Sequence, residues 1–299
     1  MSLVLAACGA PGATFAGIST GDVTSTGGFA RSVPIGNGRS IFLECRGSGS
    51  PTVVLVSGTG GASDEWALAV DPTDPAARPR PSASAVLPTV ASFTRVCAHD
   101  RPGTTRNDGR PSPSTRVSQP TTAEDGARDL RAVLAAAGER RPYVIVGASW
   151  GAMIALLLAR TDSPQVAGLV TVDGASEFLK KELSPAQWSG WMHKIEAMDA
   201  ADGREVPDYE SSVHELRAAP AMPRPLPAVV LTSDKPWDLQ VEGTGSTWPA
   251  WLAAQDRLAA ELCARHITDT RSGHGIGVEQ PQMVSTAIRE VVDEARNKP

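Results

Sequence analysis

The stretch RPYVIVGASWGAMIALLLAR, residues 141–160, carries the strongest local signal in this sequence. YVIV is a short β-branched apolar run after a proline, which predicts a buried strand. GAMIALLLAR consists mostly of strong helix formers. Between them, GASWG at residues 147–151 fits the pattern Gly-x-Ser-x-Gly. A strand, a sharp turn and a helix around this pattern are typical of a nucleophile elbow, so Ser149 is predicted to be a nucleophile.

A second match to the pattern, GISTG at residues 17–21, lacks this context. With Gly and Ser each at roughly 7% of residues, a chain of about 300 shows one match by accident about one time in ten. CGAPGATFA precedes Ser19 and GDVTSTGG follows it, so no apolar run flanks the serine. Ser19 is therefore predicted to be a solvated linker serine.

Composition limits the fold and the partners. The chain has 299 residues, of which 41% are hydrophobic, and this suits one α/β domain with a single large core. The net charge of -5 and the lack of a Lys/Arg-rich run argue against nucleic acid as a partner. The apolar runs are far shorter than the roughly 20 residues that span a bilayer.

The N-terminal MSLVLAACGAPG resembles the end of a bacterial lipoprotein signal, with Leu5-Ala6-Ala7-Cys8 in the place of the lipobox. The usual basic region and a full-length apolar segment are missing. We expect Cys8 to carry a lipid that tethers an envelope or secreted protein, and residues 1–30 to be this signal-like segment and a flexible linker. The alternative is a disordered cytosolic tail.

Short apolar runs alternate with helical patterns along the rest of the chain. This alternation predicts an α/β fold with a doubly wound, mostly parallel sheet in residues 31–299. Strands are predicted at 41–45, 52–57, 94–98, 143–147, 168–173, 227–232 and 266–269, and helices at 122–137, 150–161, 248–263 and 281–296.

Residues 174–225 interrupt the alternation with polar helical sequence. They follow a predicted strand whose carboxyl end faces the ligand crevice of an open α/β sheet, so a small helical cap over the site is predicted. The alternative is a pair of surface helices packed on the sheet by Trp188 and Trp191.

Taken together, the chain resembles the α/β-hydrolase fold family over residues 31–297. The matching pieces occur in the family's order: TVVLVSGTGG, CAHDRPGTTR, GASWGAM, GLVTVDGA, PAVVLT and SGHGIGVEQP. SW at the elbow and the DRPG loop resemble the capped branch that includes proline iminopeptidases, haloalkane dehalogenases and small esterases. A dehalogenase carries Asp at the elbow, whereas Ser149 favours acyl transfer.

The resemblance also implies a base and an oxyanion hole. Of five histidines, His274 lies in the Gly-rich loop SGHGIG, where the family places its base. His99 is expected to be structural, and His193 and His214 to be exposed on cap helices. The backbone N–H groups of Trp150 and Thr59 are predicted to form the oxyanion hole, although Ser57 stands where the family commonly has His.

Three aspartates compete for the role of the acid that orients the histidine. Asp173 ends the strand after the elbow, the position that some enzymes of the dehalogenase branch use. Asp234 and Asp238 follow the next strand, the family's usual position, but VVLTSDKPWD fits the usual pattern of that loop poorly. Asp173 is preferred, with Asp234 and Asp238 as alternatives.

Apart from Cys8, the cysteines are Cys45, Cys97 and Cys263, and their spacing fits no zinc or CxxC pattern. Cys45 and Cys97 lie in two predicted strands that are neighbours in the family's sheet. They are expected to be either a disulfide, if the protein is exported, or two buried thiols.

These observations predict a serine hydrolase that cleaves carboxylic esters in small-molecule substrates through an acyl-enzyme, with no metal or cofactor. A proline-iminopeptidase-like aminopeptidase is the first alternative, with Glu177, Glu182 and Glu196 available to hold a substrate amine. A non-catalytic binding protein on the same fold is the second. The sequence does not indicate an oligomeric state.

Overall fold

A computed structural model describes residues 27–71, 73–74, 77–198, 203–222 and 226–297. Eight strands form one sheet in the order β1-β2-β6-β3-β7-β8-β9-β10, and two further strands, β4 and β5, form a separate short pair. The strands are β1 Phe29–Gly36, β2 Arg39–Arg46, β3 Thr52–Val56, β4 Leu68–Ala69, β5 Arg80–Pro81, β6 Val96–Asp100, β7 Tyr143–Ala148, β8 Val166–Val172, β9 Ala228–Leu231 and β10 Arg265–Ile267.

The sheet is mostly parallel. β1 and β2 form an antiparallel hairpin, and β2 also pairs antiparallel with β6, whereas all the pairs from β6 to β10 are parallel. The predicted doubly wound α/β sheet is confirmed. β1 was not predicted, and its start at Phe29 places the edge of the folded domain slightly before residue 31.

Helices cover both faces of this sheet. Their bounds are α1 Val86–Ala91, α2 Ala123–Ala137, α3 Trp150–Thr161, α4 Leu179–Glu182, α5 Pro185–Glu196, α6 Tyr209–Ala218, α7 Trp248–Glu261, α8 Ile276–Glu279 and α9 Pro281–Asn297. Along β3, Val54 contributes to the core under α2, α3 and α7, whereas Val53 and Leu55 contribute to the core under α1 and α9. All five residues of β3 are therefore apolar or buried, as a strand between two helix layers requires.

Three helices, α4 to α6, lie between β8 and β9, where residues 174–225 were predicted to form a helical insertion. Trp188 and Trp191 are buried and in contact with each other edge to face. Tyr209, at the start of α6, lies between Trp191 and Trp150, with ring centroids 4.4 and 4.9 Å away. The insertion is thus joined to the central domain by an aromatic cluster next to the elbow.

Cys45 and Cys97 form a disulfide between the paired strands β2 and β6, with 4.1 Å between their Cα atoms. Of the two possibilities that the sequence left open, the structure contains the bridge. Cys263 is a free, exposed thiol. Cys8 and Ser19 lie outside the described residues, and within the described ones we find no helix that is long and apolar enough to cross a membrane.

Candidate active site

Ser149 lies at a sharp turn between β7 and α3. Its backbone has φ 47° and ψ -122°, a strained conformation for a residue with a Cβ. The glycines around it make the turn possible. A Cβ on Gly147 would lie 2.6 Å from the Cα of Ala152, and a Cβ on Gly151 would collide with the carbonyl oxygens of β3 and Ser57. Strand and helix can therefore approach only with glycine at both positions.

His274 and Asp173 complete a line of hydrogen bonds with Ser149. Nε2 of His274 lies 3.0 Å from Oγ of Ser149, and Nδ1 of His274 lies 2.7 Å from Oδ2 of Asp173. An ionised carboxylate can only accept hydrogen bonds, so Nδ1 holds the ring proton and Nε2 accepts from the serine hydroxyl. Oγ of Ser149 is thereby placed to lose its proton to His274.

Asp173 is fully buried, and two further N–H groups keep it in place. The backbone N–H of Ser233, at 3.0 Å, and the indole N–H of Trp251, at 3.1 Å, both donate to Oδ1. Three donors in total stabilise a buried negative charge that would otherwise be costly. The structure thus brings Asp173, and neither of its two alternatives, to His274.

The two alternative acids, Asp234 and Asp238, form hydrogen bonds within loops. Oδ1 of Asp234 accepts the backbone N–H of Ser272 at 2.9 Å, two residues before His274 in the chain. Oδ1 of Asp238 accepts from the hydroxyl of Ser246, at 3.0 Å, and from the backbone of Thr247. Both carboxylates follow β9, but their hydrogen bonds stabilise the surrounding loops.

Two tryptophans pack against the His274 ring. Trp237 is tilted 36° to the imidazole with a centroid separation of 4.1 Å, and Trp251 meets it edge to face at 5.6 Å. Nε1 of Trp237 donates to the Oγ of Ser233, so the ring is itself anchored. These contacts restrict the orientation of an imidazole that lies in a loop rather than in a regular element.

The loop after β3 approaches Ser149 closely. A Cβ on Gly58 would lie 3.1 Å from the Cβ of Ser149, and Thr59 lines the same cavity as the serine hydroxyl. The Oγ1 atom of Thr59 lies 3.2 Å from the hydroxyl of Tyr209 in the insertion. Trp150 is the first residue of α3, directly after Ser149. The structure therefore places both predicted oxyanion-hole residues beside the serine.

A buried ion pair between Arg101 and Glu205 holds the loop after β3 in place. Arg101, from the DRPG sequence, donates to the carbonyl oxygens of Ser57 at 2.9 Å and Gly58 at 2.7 Å. Its Nε and Nη2 atoms lie 2.5 and 2.9 Å from the carboxylate of Glu205 in the insertion segment. That carboxylate also accepts the backbone N–H of Gly60 at 2.7 Å. One ion pair thus holds carbonyl and N–H groups on both sides of Thr59.

A cavity of about 610 Å³ opens beside Ser149 and His274. Its lining comes from the loop after β3 and its continuation, from Asn107 and from the segment after His274. The lining residues are Gly58, Thr59, Gly60, Gly61, Glu65, Trp66, Leu68, Pro79, Asn107, Ala148, Ser149, Val172, His274, Gly275, Gly277 and Val278. Among the described residues of the insertion, none lines this cavity, although a cap was expected to cover it.

The other histidines have separate environments. His99 is buried in β6, and burial, with the Arg101 charge, lowers its pKa to about 3, so it is neutral. His266 has its Nε2 atom 2.8 Å from the hydroxyl of Thr232. His193 and His214 are exposed on α5 and α6, as predicted from the sequence. Within the described residues, none of these four forms a hydrogen bond with Ser149, so His274 is the base that the geometry offers.

One cluster of metal-type side chains occurs within the described ranges, formed by Cys45, Cys97 and Glu139. The two sulfur atoms are already joined to each other, so the cluster does not offer thiolate ligands. Its cysteines lie on β2 and β6, away from the carboxyl ends of the parallel strands where Ser149 and His274 meet.

The fold and the elbow together define a class, the α/β hydrolases. The sequence profile of the Alpha/beta hydrolase family matches residues 53–292. The chain therefore belongs to the Alpha/beta hydrolase family. A comparison with curated proteins found no match.

Solved structures with the same fold support this assignment. A thermophilic esterase from Thermogutta terrifontis is 18% identical, with 89% of this chain and 99% of that chain covered and a TM-score of 0.52. The haloalkane dehalogenase DatA from Agrobacterium tumefaciens C58 is 18% identical, with 90% and 97% covered and a TM-score of 0.57. The serine hydrolase CarC, involved in carbazole degradation, is 19% identical, with 90% and 100% covered and a TM-score of 0.53. At these identities the likeness concerns the fold alone.

Proposed function

We propose that this hydrolase cleaves carboxylic esters through an acyl-enzyme on Ser149. The observation that carries the proposal is the continuous hydrogen-bonded line from Ser149 through His274 to Asp173 at the base of a cavity. A serine hydroxyl is a weak nucleophile until a neighbouring base takes its proton, and this geometry supplies the base and its orienting acid.

The first half of the reaction forms the acyl-enzyme. Oγ of Ser149 attacks the ester carbonyl carbon while its proton passes to Nε2 of His274. The tetrahedral oxyanion accepts hydrogen bonds from the backbone N–H groups of Thr59 and Trp150. The carbonyl then re-forms, the carbon–oxygen bond to the alcohol breaks, and His274 gives the proton to the departing alkoxide.

The second half releases the acid. Water takes the place of the alcohol, loses a proton to Nε2 of His274 and attacks the acyl-enzyme. Collapse of the second tetrahedral intermediate returns the proton to Oγ of Ser149. Asp173 stays ionised throughout and stabilises the imidazolium that forms twice in the cycle.

The test is Ser149→Ala measured with p-nitrophenyl esters and with a fluorophosphonate probe. We expect hydrolysis to fall about 10³-fold or more and labelling to disappear, because serine, base and acid act as one unit. Ser189→Ala, an exposed serine on α5, is the matched control and should keep both signals. Full activity or labelling in folded Ser149→Ala would contradict the proposal, and an unlabelled wild-type chain would favour a binding protein on this fold.

We also propose that the protein works outside the cytoplasm, tethered through Cys8. The support is the lipobox-like Leu5-Ala6-Ala7-Cys8 together with the Cys45–Cys97 disulfide, since such bridges persist in oxidising compartments. The redox experiment given in the Discussion bears on this placement.

A further inference from the structure

The cavity next to Ser149 has a distinctive charge distribution. Of its described lining residues, only Glu65 and His274 carry ionisable side chains. Most of the remaining surface consists of glycine backbone and apolar groups, including Trp66, Leu68 and Val278. A charged substrate group in this cavity would therefore have Glu65 as its one carboxylate partner among the described lining residues.

Within the described part of the chain, the Glu65 carboxylate has no hydrogen-bond or ion-pair partner. Among the described residues, no N–H or O–H group donates a hydrogen bond to it and no basic side chain forms an ion pair with it. It lies against the loop after β3, because a Cβ on Gly61 would collide with its Oε2 atom. Its neighbour Asp64, in contrast, accepts the backbone N–H of Asn107 at 3.1 Å.

Its surroundings make the free carboxylate energetically unfavourable. Burial raises the pKa of Glu65, and the charges of Arg101 and His274 only partly oppose that rise. Glu65 is half-buried, and a half-buried carboxylate without hydrogen bonds loses part of the hydration that it has in water. A negative charge in the same cavity also opposes the oxyanion that forms during ester cleavage. A cation bound beside Glu65 would relieve both effects.

We propose that Glu65 is a specificity-determining residue that selects esters carrying an ammonium group, which it binds in the cavity next to Ser149. This inference rests on the proposed ester hydrolysis and adds the substrate class. It assigns selection to the loop after β3 and not to the acidic residues of the insertion. Glu177, one of those acids, is engaged with Arg160, at 2.6 Å, in a buried ion pair away from the cavity.

The experiment compares esters that differ only in charge. Methyl 6-aminohexanoate and methyl heptanoate have the same length. The first carries an ammonium group where the second carries its terminal methyl group. Methyl 3-aminopropanoate and methyl butanoate form a shorter pair. We expect wild-type kcat/KM to favour the ammonium ester in at least one pair. Glu65→Gln should lower that ratio about tenfold or more, the effect of losing one hydrogen bond to a charged group.

Two further variants separate recognition from general electrostatics. Glu65→Asp keeps a carboxylate and should retain part of the preference. Asp64→Asn removes the adjacent charge, which faces the Asn107 backbone, and should leave the ratio near the wild-type value. Hexylammonium should also inhibit wild-type cleavage of methyl heptanoate more strongly than 1-hexanol does, a measurement that needs no variant.

The outcomes distinguish the two proposals. Wild-type protein that cleaves neither these esters nor p-nitrophenyl esters overturns the ester hydrolase proposal, and this inference with it. Wild-type protein that cleaves p-nitrophenyl esters but neither ester of either pair overturns the inference alone. Wild-type protein that cleaves esters without preferring ammonium, or whose preference survives in Glu65→Gln, overturns the inference alone. An equal loss of preference in Asp64→Asn also overturns it, because a long-range charge effect would then suffice.

Discussion

Replacing Glu205 by Gln tests how the loop after β3 is held in place. Glu205 and Arg101 have side chains only 1% and 3% exposed, and the carboxylate accepts three N–H groups, one of them from Gly60. Gln has the size of Glu but no charge, and its amide N–H₂ group would face an N–H donor where the carboxylate oxygen accepted one. Arg101 would then be a buried cation without a counter-charge.

The structure suggests the size of two separate effects. Breaking a buried ion pair by removing one partner lowers the free energy of unfolding by about 3–5 kcal/mol, and we expect the lower end because Gln retains one acceptor oxygen. Since folded domains have about 5–15 kcal/mol of stability, the variant should still fold. Displacing the Thr59 N–H should lower kcat by about 10²–10³-fold, the effect of losing one oxyanion-hole donor.

The assay compares a phenyl ester with its thiono analogue, in which sulfur replaces the carbonyl oxygen. Sulfur accepts hydrogen bonds weakly, so a damaged oxyanion hole should slow the oxygen ester more than the thiono ester. We expect the kcat of the oxygen ester divided by the kcat of the thiono ester to fall in Glu205→Gln. Glu215→Gln is the matched control, because this acid of the same insertion accepts the backbone N–H of Glu124 at 3.0 Å and does not contact the loop.

A loss of stability with an unchanged kcat ratio would refute this reasoning, because the ion pair would then support the fold without positioning Thr59. An unchanged midpoint of urea unfolding in Glu205→Gln would refute the strength that we assign to the ion pair. A fall of equal size in Glu215→Gln would show that any disturbance of the insertion reaches the oxyanion hole.

Two other predictions follow from the same structure. Asp173→Asn should lower kcat about 10⁴-fold in folded protein, because the amide can hold the imidazole in the wrong tautomer. Asp234→Asn should have a much milder effect on kcat, and circular dichroism checks that both variants fold. The reverse order of effects would contradict the choice of Asp173 as the acid. Reduction of the Cys45–Cys97 bridge, which spans a sequence separation of 52, should lower the unfolding free energy by about 4 kcal/mol in urea titrations. Two alkylatable thiols at these positions in envelope-purified protein would contradict the bridge and remove its support for the proposed location.

Much of the central domain could be read from local sequence. Predicted helix 150–161 agrees with α3 at both ends, and the strand predicted at 143–147 agrees with β7 to within one residue. These elements are apolar runs bounded by glycine or proline, so their pattern is strong. β1, with its largely exposed FARSVPIG, was missed because a two-stranded edge hairpin needs little apolar sequence.

The residues next to the strand ends were also predictable. Ser149, Asp173 and His274 each follow a strand or strand-like run, and parallel strands bring their carboxyl ends to one edge of the sheet. The elimination of Asp234 and Asp238 was not predictable with the same strength, because it depends on loop conformation. Only the hydrogen bonds of each carboxylate in the structure distinguish Asp173 from Asp234 and Asp238.

The supporting residues had no comparable signal. Glu65 lies in a short 3-10 helix, Ser63–Ala67, and Trp237 in an irregular loop. Glu205 follows a stretch of the insertion with no strong periodicity. Their roles depend on which distant segment each loop meets, such as Glu205 with Arg101 across 104 positions in the chain. Arg101 carried a partial signal, since it belongs to the DRPG sequence that follows β6.

The contacts of the insertion with the loop after β3 have a consequence for protein engineering. Glu205 and Tyr209 reach from the insertion to Gly60 and Thr59, so this segment is not an exchangeable module. A chimera that receives the corresponding helices of another hydrolase would lose the counter-charge of Arg101 along with them. Successful grafts should therefore end before Glu205 or rebuild the Arg101 environment. Libraries that vary the exposed residues of α5 should tolerate far more sequence change than those that vary residues 205–209.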